Sequence, residues 1–145
     1  MEISNLNETP IYISYHKALS KPPTEEETDT LFDFVEYCVK DLTISGPVMI
    51  RLLPKAMKGT LTTGGFKLQD QSIDSRYEGR SFVDVCRTIA HELIHYNQKE
   101  RGEFDSPDYV HQDIGGPMED EANAIAGQLI KKYVRDRNAR FIYGL

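Results

Sequence analysis

"TIAHELIHYNQ", Thr88 to Gln98, sets two histidines, His91 and His95, four residues apart, with Glu92 directly after the first. On an α-helix, residues i and i+4 share a face about one turn apart, so two imidazoles at this spacing converge on one point. Glu92 is turned roughly 100° from His91, near enough to reach a water on an ion held there without entering its coordination sphere. The residue types suit that use. Neutral imidazole is a ligand for Zn²⁺, bound Zn²⁺ brings its water to a pKa of about 7, and a neighbouring carboxylate takes the proton.

The helix that carries this set is expected from about Ser81 to Arg101, with Ser81 as N-cap and Asp84 three residues on as a weaker relative of the capping-box acid. Phe82, Val85, Cys86, Ile89, Leu93 and Tyr96 form its core stripe, and His91 and His95 lie nearly opposite. A freely solvated face is usually charged. Here Ala90 and Ile94 flank the pair, so this face too is expected to be covered, which disfavours the plainer reading of solvated surface groups.

A catalytic zinc site of this kind takes three protein ligands and leaves one position for water. "RGEFDSPDYVHQDIGGP" is a loop by composition, and Pro117 opens a further helix to about Asn138. Its apolar face is Ala122, Ile125, Ala126, Leu129, Ile130 and Tyr133. At about 100° per residue, Glu119 stands on the edge of that face and Glu121 nearly away from it, as a solvated helix acid. Asn123, one turn after Glu119, is placed to hydrogen-bond the second nitrogen of a ligand histidine. His16 falls on a strand-like segment as an edge or surface histidine. His111 lies in the loop, and a third histidine six residues after the pair would fall on Arg101.

Upstream, "IYISYH" (11–16) alternates as a half-buried strand does, and "SKPPTEEE" then starts a helix whose core face is Leu31, Phe34, Val35, Cys38, Val39 and Leu42. Runs from Pro47, Thr60 and Ser72 predict three short strands of a small sheet, with Gly64-Gly65 as a turn or bulge. The order is that of a single α+β domain over residues 1–145. Seventeen basic and 23 acidic residues give a net charge of −6, which argues against nucleic acid or an anionic membrane as partner. "MEISNLNETPIYISYH" lacks a basic start and a continuous apolar segment, so a cytoplasmic protein is expected. Cys38 and Cys86, among apolar neighbours, read as small buried thiols.

"RTIAHELIH" (87–95) followed by "EDEANAIAGQLI" (119–130) resembles the ImmA/IrrE-type zinc metallopeptidases, which pair an A-H-E-x-x-H helix with a later E-x-x-A-N helix. The likeness covers about residues 45–132. It implies a zincin-like domain of gluzincin type holding one Zn²⁺ through His91, His95 and Glu119, with Glu92 as general base and Asn123 as the family asparagine. A small twisted sheet would pack on the active helix, with the third ligand on the C-terminal helix. Ile94, Ile125 and Lys132 depart from the family's frequent glycine, phenylalanine and proline, and none of these is a ligand. No helix-turn-helix or sensor domain accompanies the motif, and the size suggests a compact stand-alone form such as a phage or mobile element carries.

The expected activity is hydrolysis of a protein or peptide substrate by a water that Glu92 deprotonates. Tyr109 and His111 are candidates for stabilising the oxyanion, and "SIDSRY" (72–77) is a candidate sheet edge for strand addition by substrate. The alternative from another class is a non-catalytic or latent zinc-binding module, which intact Glu92 disfavours because a structural site needs no base.

Overall fold

Each helix is bounded by local chemistry already present in the sequence. In the computed structural model, which describes residues 2–4, 9–54, 64–67, 70–103 and 117–144, helix α1 (Glu25–Leu42) starts with a capping box. The Glu27 N–H donates to Thr24 Oγ1 at 3.1 Å, and the Thr24 N–H donates to Glu27 Oε1 at 3.0 Å. It ends at Thr43, which is left-handed at φ 59°, with the Ile44 N–H donating to the Val39 carbonyl. Helix α2 (Phe82–Glu100) is capped by Ser81, which accepts from the Asp84 N–H at 3.3 Å. Helix α3 (Pro117–Arg137) runs past Lys132 without a break, and that lysine pairs with Asp41 of α1 at 2.6 Å. A short 3₁₀ turn follows at Arg140–Tyr143.

Five strands, β1 (Glu2–Ser4), β2 (Ile11–Tyr15), β3 (Val48–Leu53), β4 (Gly64–Lys67) and β5 (Ser72–Arg76), form one mixed sheet in the order β1-β2-β3-β5-β4. The outer pairs are antiparallel, and β2–β3 and β3–β5 are parallel. Since parallel neighbours need a crossover, α1 bridges β2 to β3. Ile13, Ile50, Ile73 and Phe66 stand side by side in register; the three isoleucines belong to the core shared with the helices, and Phe66 packs against it. On the other face Arg51, Asp74 and Gly65 are in register, and Arg51 holds Asp74 with two hydrogen bonds of 2.9 Å.

Helix α2 is the central element, packed against α1, α3, β4 and β5. Its C-terminal half grips the connection from α1 to β3. The Tyr96 hydroxyl donates to the Pro47 carbonyl (2.6 Å), Asn97 donates to the Leu42 carbonyl (2.9 Å), and Glu100 accepts from the N–H groups of Ser45 (3.1 Å) and Gly46 (2.9 Å). Between α1 and α3 the Tyr133 ring meets Phe34 and Tyr37 edge-on at 5.0 and 5.4 Å, and its hydroxyl donates to Asp33 at 2.8 Å. The described architecture is α+β, and its three helices lie where their periodicity predicts. Among the described residues, no helix is long and apolar enough to cross a membrane. Cys38 and Cys86 are buried free thiols, and burial pushes both upward in pKa.

Two expectations about the sheet are corrected. Gly64 and Gly65 are neither turn nor bulge but paired strand residues opposite Ser75 and Asp74. A Cβ at Gly64 would lie 2.5 Å from the Asp74 carbonyl oxygen and 2.7 Å from Thr88 Cγ2, so glycine lets α2 close onto β4. The run at 72–76 is not an edge either, because β5 is hydrogen-bonded to β3 on one side and β4 on the other. Among the described strands, β4 ends the sheet beside α2.

Candidate metal centre

His91 and His95 sit one turn apart on α2 with ring centroids 4.7 Å apart and planes crossed at 87°. Ala90 and Ile94, which flank them, are fully buried, so this face of α2 is covered as their apolar character requires. The cover comes from α3. There Glu119 reaches both rings, with Oε2 3.2 Å from His91 Nε2 and Oε1 2.5 Å from His95 Nε2. Alternation about the helix places Ala122, Ala126, Leu129, Ile130 and Tyr133 in the core, and Glu119 on the rim of that stripe as its phase predicts. The four side chains are mostly enclosed, at 20% exposure for His91, 13% for His95, 9% for Glu92 and 27% for Glu119.

The opposite nitrogen of each ring is engaged as well. His91 Nδ1 lies 3.0 Å from Glu92 Oε2, and His95 Nδ1 lies 2.8 Å from Gln98 Oε1. The Gln98 amide is oriented by its other end, because Nε2 donates to the Met118 carbonyl (3.0 Å) and to Glu121 Oε1 (3.1 Å). Its oxygen therefore faces His95, and His95 Nδ1 carries a proton. Since Glu92 is an acceptor, the same holds for His91 Nδ1. In the neutral form of both rings, the lone pairs are then on the two Nε2 atoms, which face one another across the Glu119 carboxylate.

This donor set fits a divalent cation. A cation among the two Nε2 lone pairs and the Glu119 carboxylate would be met by three donors, and imidazole with carboxylate is a donor set suited to Zn²⁺. Glu92 also comes within ligand range, since His91, Glu92 and His95 each offer an atom within 4.8 Å of the others. It approaches His91 from the Nδ1 side, however, whereas Glu119 faces the Nε2 atom of both rings. Of the two carboxylates, Glu119 is thus the one that could meet an ion held between the Nε2 atoms. Electrostatics agree with this crowding of acids. Burial by itself draws His91 down, but the carboxylates of Glu92 and Glu119 outweigh it and leave the pKa raised.

Two further positions differ from the sequence reading. Glu121 is not a solvated acid pointing away, since it accepts from Gln98 and from Arg101 Nη2. Burial pushes its pKa up, and those hydrogen bonds together with the Arg101 charge overcome that and lower it. Asn123 is exposed, and the hydrogen bond expected of it on a ligand histidine's second nitrogen is made by Gln98 for His95 and by Glu92 for His91. Gln98 was legible in principle. It follows His95 by three residues, on the same helical face. His16 lies away from this cluster, just past β2, where Nδ1 accepts from the Ala18 N–H. Tyr109 and His111 fall outside the described residues. Comparison of the chain with protein-family models, curated proteins and solved structures gave no match.

Proposed function

We propose that this protein is a zinc-dependent metallopeptidase of the ImmA/IrrE type, with His91, His95 and Glu119 as ligands and Glu92 as general base. The observation that carries the reading is the convergence of His91 Nε2 and His95 Nε2 on the Glu119 carboxylate, at 3.2 and 2.5 Å. Bound Zn²⁺ supplies a Lewis acid and a water acidic enough to be deprotonated near neutral pH. Glu92 is buried beside the pair, so its carboxylate works where bulk water does not compete. Its Oε2 holds His91, and Oε1 is the atom that takes the proton of the attacking water. The same oxygen returns that proton to the leaving amine as the peptide C–N bond breaks. An extended peptide aligns along β4, the strand that ends the sheet next to α2.

The test has a metal arm and an activity arm. Protein purified without added metal should carry about one zinc per chain, as such sites do, and His91→Ala should lose most of it; full retention ends this reading. Incubated with peptide libraries and read by mass spectrometry, wild type should cut and Glu92→Gln should not. A wild type that cuts nothing, with a fourth protein ligand on its zinc, is instead a binding module.

A further inference from the structure

Gln98 is fully buried, yet it is a polar side chain on the helix face shared by the two histidines. All of its hydrogen-bonding groups point at the site or at the helix that completes it. Oε1 accepts from His95 Nδ1 (2.8 Å), and Nε2 donates to the Met118 carbonyl (3.0 Å) and Glu121 Oε1 (3.1 Å), which lie on either side of Glu119 at the start of α3. Glu121 is in turn held by Arg101 from the end of α2. A buried amide of this kind costs free energy unless every group is paired, so its partners are held where it holds them.

We infer that Gln98 is a positioning residue: it fixes His95 with the proton on Nδ1, and it clasps the first turn of α3 so that Glu119 meets both Nε2 lone pairs. This rests on the zinc reading above, and the two can fail separately. The clasp explains why α3 carries a second acid two residues after the first. Glu119 serves the imidazoles, and Glu121 orients the amide that orients one of them. It also explains why Gln98 is an amide, since only a side chain with both an acceptor and a donor links a protonated ring nitrogen to a carbonyl and a carboxylate.

Two measurements on the full chain test this. Tautomers are read from ¹⁵N spectra of the imidazoles in chelator-treated protein on a Glu119→Ala background, where no carboxylate competes for the proton at Nε2. Zinc affinity is read by competition with a chromophoric chelator, with far-UV circular dichroism as the fold control. With Gln98 in place His95 should be protonated on Nδ1. Gln98→Leu should turn it into a tautomer mixture and raise the zinc Kd about 10–100-fold. Gln98→Glu keeps an acceptor for His95 but sets a carboxylate against Glu121, so the tautomer should hold while affinity falls. Adding Glu121→Gln restores a donor between the helices and should recover most of the loss. Gln98→Leu with tautomer and affinity unchanged overturns the inference, as does a double variant no better than Gln98→Glu. If Gln98→Leu does not fold, the comparison of single and double variants decides. A wild type that takes up no zinc sinks the zinc reading, while the tautomer measurement still judges Gln98.

Discussion

His91 stands between two carboxylates, Glu92 on Nδ1 and Glu119 on Nε2, and this division of labour sets what each substitution does. Glu92→Gln keeps the shape and an oxygen for the His91 Nδ1–H but removes the proton acceptor. Zinc content and melting temperature should stay near wild type while cleavage falls about 10²–10⁴-fold, the usual cost of losing a general base; equal cleavage by both proteins rules Glu92 out as base. Glu119→Gln should weaken zinc binding strongly. Glu121→Gln, which retains an acceptor for Gln98, should weaken it far less, and the reverse order in a zinc titration removes Glu119 from the ligand set. The pair His91 and His95 and the candidate Glu119 were legible in the sequence because each is a matter of phase within one helix. Glu121 was not, and neither was the hold that Gln98 takes on α3, because both depend on how α2 and α3 cross. A polar side chain read on its own helix has no visible partner on another.

At the scale of elements, helices were easier to read than strands for the same physical reason. Caps and 3.6-residue periodicity are local, so Thr24, Ser81 and Pro117 announce their helices. Strand order depends on pairing between distant segments, and the parallel β2–β3 and β3–β5 neighbours leave no local mark. Gly64-Gly65 suggests a turn or a bulge because glycine punctuates loops and strands, whereas here it makes room for α2. Gly64→Ala sets a Cβ 2.5 Å from a backbone oxygen and 2.7 Å from Thr88. Overpacking of this sort costs about 1–3 kcal/mol, read as a lower denaturant midpoint at unchanged slope; an unchanged midpoint means that β4 does not sit this close to α2. The cap of α1 gives a pH signature. Burial pushes Glu27 up, yet hydrogen bonds from Thr24 and the Tyr77 hydroxyl (2.8 Å) more than reverse this and leave its pKa lowered. A lowered carboxylate adds stability that is fully present above the unfolded value of 4.5 and is lost as pH falls through the folded value. Melting curves of Glu27→Gln should therefore approach those of wild type on acidification below pH 4.5, and a constant gap across that range contradicts the shift.

Across the whole molecule, the proposed ligands join α2 to α3, elements separated in the chain by the residues between Glu100 and Pro117. Because the site exists only when those helices are packed, affinity for the metal adds directly to folding stability. A ligand that binds only the folded state at 100 times its Kd stabilises it by about 2.7 kcal/mol. For a domain near 150 residues each kcal/mol moves the melting temperature by roughly 2–4 °C, so zinc should raise it by about 5–10 °C over chelated protein. His95→Ala removes one ligand, and its melting temperature should be the same with zinc as with chelator. The metal-free protein should nonetheless fold, because the core shared by the sheet and all three helices is continuous without the site. That separates this chain from small domains in which metal is the main source of stability. Calorimetric scans of wild type and His95→Ala, each with excess zinc and with chelator, provide the measurement. A wild type with one melting temperature in both conditions does not hold zinc through its folded state. A chelated wild type with no transition at all shows instead that the metal, and not the apolar core, holds the helices together.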